Sequence, residues 1–203
     1  FYTLLVLSLV VSSPSTLAKG FTVALIEDGP EIRTDELRRH LVAELNELTS
    51  DEFDIRYKIF QGEWSLTGIK GAFSQAFGDQ EVDMILATGV AANQIGLSFE
   101  TYPKPTFLPF VIDQRLFGAP RAGLVSGKNN LNYLADRILL SSDVAMLQQV
   151  KPFKNLAFFM ASQLLEIIPD QTQETVNRAI GLPITFVGHN GQSERLTDSL
   201  PDR

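Results

Sequence analysis

The stretch Phe21-Thr22-Val23-Ala24-Leu25-Ile26 is nearly all apolar and runs into Glu27-Asp28-Gly29-Pro30, the pattern of a strand buried on both faces that ends in a turn. The period then changes. Leu37, Leu41, Leu45 and Leu48 recur at helical spacing while Asp35, Glu36, Arg38, Arg39, Glu44 and Glu47 take the other positions, which predicts an amphipathic helix. Phe53, Ile55, Tyr57 and Ile59 alternate with Asp54, Arg56 and Lys58, so a strand with one wet face is expected at a sheet edge. Ile69, Phe73, Ala76 and Phe77 predict a second helix closed by Gly78. Val82 to Ala87 reads as another buried strand, Thr88-Gly89 opens a third helix through about Ser98, and Thr106 to Val111 is a further strand.

Strands alternating with helices in this order predict a parallel sheet with right-handed crossovers. Gly118-Ala119-Pro120-Arg121-Ala122-Gly123 carries the turn residues of a lobe boundary, after which the alternation starts again. A long helix is expected from about Asn130 to Val150, a strand from Asn155 to Met160, a helix through Ile180 and a strand from Pro183 to Val187. The expected fold class is α/β, with two Rossmann-like lobes on parallel sheets: residues 19–122 as the N-terminal lobe and 123–203 as a second, incomplete one.

Residues 1–18 stand apart. Phe1 to Val11 is an uncharged apolar run, shorter than the ~20 residues that span a bilayer, and Ser12-Ser13-Pro14-Ser15 and Thr16-Leu17-Ala18 follow. The pattern predicts an export signal cleaved after Ala18 and a periplasmic product, with an uncleaved anchor or a buried strand as the competing readings. The formal net charge of -7, with no basic run, argues against a nucleic-acid surface. The absence of cysteine removes disulfides and a lipoprotein thiol, and fits an exported bacterial globule better than a small secreted eukaryotic domain.

In an open parallel sheet, ligands meet the carboxyl ends of the strands, where helix N-termini present free N–H groups. Such ends fall at Glu27-Asp28-Gly29, Thr88-Gly89-Val90-Ala91 and Ile112-Asp113-Gln114-Arg115. In the second half they fall at Met160-Ala161-Ser162-Gln163 and Gly188-His189-Asn190. Thr88 is expected to cap its helix, and Gly89 to let a ligand approach the backbone, with plain capping as the alternative. Asp113 and Arg115 suit an amine and a carboxylate respectively, with a solvated surface or a mutual ion pair as the alternative. Ser162 and Asn190 suit a small ligand or a turn. Trp64 and Tyr102 suit an aromatic wall or the edge of a core.

Signatures of catalysis are missing. The two histidines, His40 and His189, make no metal-ligand spacing, and neither HExxH nor GxSxG occurs. Gly123-Leu124-Val125-Ser126-Gly127-Lys128-Asn129 is one residue short of a phosphate loop between its glycines and ends in Asn in place of Ser or Thr. The reading is therefore of a non-enzyme that needs no cofactor, leaving open a carboxylate site built on Asp28 and Asp113.

Taken together, the export signal, Phe21 to Glu27, Val82 to Ala92, Pro105 to Phe110 leading to Asp113, Lys154 to Phe159 and Leu200-Pro201-Asp202 resemble the ABC-transporter substrate-binding proteins with the type I periplasmic-binding fold. The resemblance implies two hinged lobes, a small-molecule ligand held between them, and an ABC permease in the inner membrane as partner. It places ligand contacts at Glu27, Asp28, Thr88, Gly89 and Asp113, with Ser162 and Asn190 from the other lobe. Asp113-Gln114-Arg115-Leu116-Phe117 is bulkier than the family's loop there, and Met160-Ala161-Ser162 replaces a polar turn, which points to a different ligand or a degenerate cleft. The same fold also serves exported sensory or envelope-complex modules, the alternative reading.

Overall fold

A computed structural model of the chain describes residues 19–30, 32–112, 114, 118–135, 140–165 and 170–189. Residues 1–18, on which the expected export signal falls, Asp113, Arg115 and Asn190 lie outside them. The first half runs β1 (Lys19–Glu27), α1 (Ile32–Thr49), β2 (Phe53–Gln61), α2 (Leu66–Gly78), β3 (Met84–Ala87), α3 (Val90–Gly96), β4 (Thr106–Val111) and β5 (Leu131–Ala135). These five strands form one parallel sheet in the order β2-β1-β3-β4-β5. The second half adds α4 (Leu140–Val150), β6 (Leu156–Ala161), α5 (Ser162–Leu165), α6 (Asp170–Ile180) and β7 (Ile184–His189), with β6 and β7 forming a parallel pair. The protein is an α/β molecule with helices flanking a central parallel sheet and a second, smaller parallel sheet.

The period of two along β1 builds the core. Ala24 and Ile26 face one side of the sheet, with Ile85, Ala87 and Leu108, and pack against Ile69, Phe73 and Ala76 of α2 and Ala91, Ala92 and Ile95 of α3. Val23, Leu25 and Leu86 face the other side, against Leu41, Val42 and Leu45 of α1. The apolar stripe of α1 is shorter than its leucine spacing predicts: Leu37 and Leu48 are 49% and 72% exposed, because β1 and β2 supply a floor only for the middle of the helix. Phe73, Phe77, Phe99 and Tyr102 form an aromatic cluster at the rim of the first core, with ring centroids 5.1–6.5 Å apart.

One element departs from expectation. The sequence predicts a single helix from about Asn130 to Val150, whereas residues 131–135 form β5 and the helix begins at Leu140. Pairing decides the outcome: Leu131, Asn132 and Tyr133 lie beside Thr106, Phe107 and Leu108, and Leu131 is buried in the first core. The Ser126 hydroxyl donates to the Leu131 carbonyl at 2.6 Å and the Tyr133 hydroxyl donates to the Pro120 carbonyl at 2.9 Å, fixing the segment as extended chain. The first sheet thus takes its fifth strand from beyond residue 122.

Candidate functional site

All strands of the first sheet are parallel, so their carboxyl ends share one edge. At that edge the alternation along β1 sends two adjacent carboxylates to opposite faces. Glu27 points to the α1 side, is fully buried, and is met by Arg38 Nη1 at 2.6 Å and Gln61 Nε2 at 2.5 Å. The bond to Glu27 raises the Arg38 pKa above its ordinary value, against the opposing effect of burial. Removing one partner of such a pair would leave a buried charge, a loss of about 3–5 kcal/mol.

Asp28 points to the other face and closes the amino end of α3. Its Oδ1 accepts from Ala92 N at 2.6 Å and its Oδ2 from Ala91 N at 3.0 Å. Burial pushes its pKa above the ordinary carboxylate value, and the bonds from the α3 amides pull it part of the way back. Gly89 makes this contact possible, since a Cβ there would sit 2.0 Å from Asp28 Oδ1. Thr88 does not cap the helix as its position predicts. Its hydroxyl donates to the Ile26 carbonyl at 3.3 Å, Gly89 is the N-cap residue, and the capping carboxylate arrives from β1. The N–H groups that the sequence reading offers to a ligand are therefore engaged by the protein's own Asp28.

Behind this edge, Asn93 is completely buried and joins three elements. Its Nδ2 donates to the Ala87 and Gly89 carbonyls at 2.9 and 2.7 Å, and its Oδ1 accepts from Phe110 N at 2.8 Å. The amide of the next residue, Gln94, is buried at both Nε2 and Oε1 without a partner, as is Gln61 Oε1. Over the end of β1, Trp64 N donates to the Asp28 carbonyl at 2.7 Å, and the indole lies so close to Gly29 that a Cβ there would meet Trp64 Cδ1 and Nε1 at 2.4 Å. Glu63 and Trp64 are both left-handed, with φ of 51° and 52°. Non-glycine residues hold that conformation at a cost of about 1–3 kcal/mol each.

Four of the residues expected at the site, Glu27, Asp28, Thr88 and Gly89, thus meet at one edge. Ser162 stands at the carboxyl end of β6, where it backs onto Gly188 of β7. Tyr102 does not join Trp64; it is buried in the first core and donates its hydroxyl to the Gly96 carbonyl at 2.7 Å. Sequence reasoning missed Arg38, Gln61 and Asn93. An Asn among small apolar residues on the inner face of a short helix was the available signal for the last. The phosphate-loop-like segment binds itself: Ser126 serves the Leu131 carbonyl, and Lys128 Nζ reaches the Phe99 carbonyl at 2.7 Å over the Tyr102 ring. A cavity of about 590 Å³ beside that segment lies at the opposite, amino ends of β3, β4 and β5, lined by Met84, Thr106, Phe107, Lys128, Asn130 and Asn132. Among the described residues no group of three His, Cys, Asp or Glu side chains is placed to hold a metal ion, and no helix is long and apolar enough to cross a membrane.

No family model and no curated protein matches the sequence. A solved structure does: an ABC domain in complex with L-Trp from Streptococcus pneumonia, at a TM-score of 0.53 and 13% identity, covering 86% of this chain. The chain spans 58% of the length of that structure. The likeness shows the fold, and it fits the α/β arrangement of parallel sheets expected from the sequence.

Proposed function

We propose that the protein is an exported, non-enzymatic solute-binding protein that captures a small molecule at the carboxyl ends of its strands and delivers it to an ABC permease. The observation that carries this reading is the edge formed by Glu27, Asp28, Gly29, Trp64, Thr88 and Gly89, where buried carboxylates, a strained aromatic loop and a helix terminus converge. Strand ends of this kind are where open parallel sheets take ligands. The solved structure of like fold was obtained with L-Trp bound, which supports a small-molecule ligand for this chain as well. Export through residues 1–18 rests on the sequence pattern, and a permease partner on the family resemblance.

Binding of a ligand to the native state raises the melting temperature by mass action. The purified chain is expected to show a saturable thermal shift with at least one compound of a broad metabolite panel, or to carry a copurified small molecule visible by native mass spectrometry. The absence of both results across the panel would end the proposal.

A further inference from the structure

On the α1 side of the first sheet the helical cover stops short. Leu41, Val42 and Leu45 of α1 pack on Val23, Leu25 and Leu86, and no other helix enters that cluster. The alternation that sends Ile85, Leu108, Leu131 and Tyr133 to the first core sends Met84, Phe107, Asn132 and Leu134 to this side. Leu134 is 57% exposed, Asn132 is exposed, and Met84 and Phe107 are half-buried, so β3, β4 and β5 present an open strip with no charged side chain. Leucines of α1 border it. The Tyr57 hydroxyl of β2 donates to Asn46 Oδ1 at 3.0 Å, which turns the Asn46 side of the helix toward β2. Leu37 and Leu48 lie about half a turn around the helix from Asn46, on the side toward the strip.

At the amino ends of β3, β4 and β5 the strip runs into the cavity of about 590 Å³, where Met84, Phe107 and Asn132 meet Val125. Val125 and Leu124 are 62% and 98% exposed, on a turn tied by backbone bonds between Ala122 and Val125 at 2.8 and 3.3 Å. A leucine so exposed on an ordered turn, beside an apolar strip, marks a surface that meets protein.

We propose that this face pairs with a second copy of the chain about a two-fold axis parallel to the strands. The surface has the shape of a step, a helix about 10 Å thick standing beside bare strands. Two sheets stack face to face at ~10 Å, so a step of that height interlocks with its own rotated copy. β4 and β5 of one copy lie over β5 and β4 of the other, the α1 leucines meet the partner's β5 edge, and the Leu124 turn reaches the partner's cavity. The outer face of α1, with Glu36, Arg39 and Glu47, stays in water, so two chains of net charge -7 meet through an uncharged surface. The exposed parts of the apolar side chains come to roughly 600 Å² on each copy and about 1,200 Å² for the pair, the lower limit of specific interfaces. The carboxyl edge of the sheet is left uncovered, and the pairing does not depend on the binding function.

Sedimentation of the full chain over a concentration series is expected to show a reversible equilibrium of monomer and dimer with a Kd of about 1–100 μM. Leu134→Lys, at an exposed position, should weaken it at least about tenfold while the circular dichroism spectrum stays unchanged. The chain has no cysteine, so a single introduced thiol reports its own surroundings. With a short bismaleimide, Leu134→Cys should give cross-linked dimer above the Kd, and Gln75→Cys, exposed on α2 across the sheet, should not. A chain still monomeric at about 1 mM, a dimer indifferent to Leu134→Lys, larger oligomers in place of a closed pair, or equal cross-linking of the two thiols would each overturn the proposal. So would a Leu134→Cys thiol shielded from maleimide in a monomeric sample, since another part of the same chain would then occupy the strip.

Discussion

Asp28 shows how one side chain can engage the helix amides that the sequence pattern offers to a ligand. Its carboxylate satisfies two α3 amides from a neighbouring strand, and burial outweighs those bonds in setting its pKa direction. Because the folded value is raised above the ordinary 3.8, its contribution to stability is fully present below 3.8 and is lost as pH rises through the folded value. Asp28→Asn removes that dependence, so the stability of wild type relative to the variant is expected to fall with rising pH across this window in a urea-denaturation series. A difference that grows with pH would show that the amide bonds outweigh burial. Gly89→Ala is expected to cost about 1–3 kcal/mol in the same assay, because the new methyl must displace the Asp28 carboxylate 2.0 Å away. Of these two residues the sequence reading recognised the position but not the relationship, since Asp28 and Gly89 are brought together by the pairing of β1 with β3.

Among the elements, periodicity succeeded where one face of a helix or strand meets the core along its full length. The alternation of β2 correctly marks an edge strand, and the apolar runs of β1 and β3 lie in the sheet interior. It failed where the floor ends or where a partner strand competes. Leu48 fits the helical stripe of α1 yet is 72% exposed, so Leu48→Ala should change stability by no more than about 0.5 kcal/mol. Leu131, read as helical, is 4% exposed in a strand, and Leu131→Ala should cost about 2–5 kcal/mol by chemical denaturation. Equal effects of the two substitutions would contradict the assignment of β5 to the first core. The apolar spacing of residues 131–150 suits a helix as well as it suits a strand followed by a helix, and a register of Leu131 to Thr106 separates them.

At the scale of the molecule, the two parallel sheets have cores of their own. Phe73 anchors the first between α2 and the sheet, while Val144, Val176 and Ile184 are buried in the second half, outside the clusters of the first. Phe73→Ala and Val176→Ala should therefore act additively, the double variant lying within about 0.5 kcal/mol of the sum of the single changes. A larger coupling measured in a double-mutant cycle would mean that the halves share packing.

Local chemistry in the sequence was enough to determine the α/β class, most of the strands and helices, and the edge at which Glu27, Asp28, Thr88 and Gly89 gather, because buried parallel strands and amphipathic helices leave different hydrophobic periods. Only the tertiary structure decided which of those groups face inward. Whether a carboxylate is free for a ligand depends on Arg38, Gln61 and the α3 amides, which lie 11, 34 and more than 60 residues from their partners along the chain. Hydrogen bonds are satisfied by proximity in space, and periodicity along the chain records only which face a residue occupies, not which distant group waits on that face.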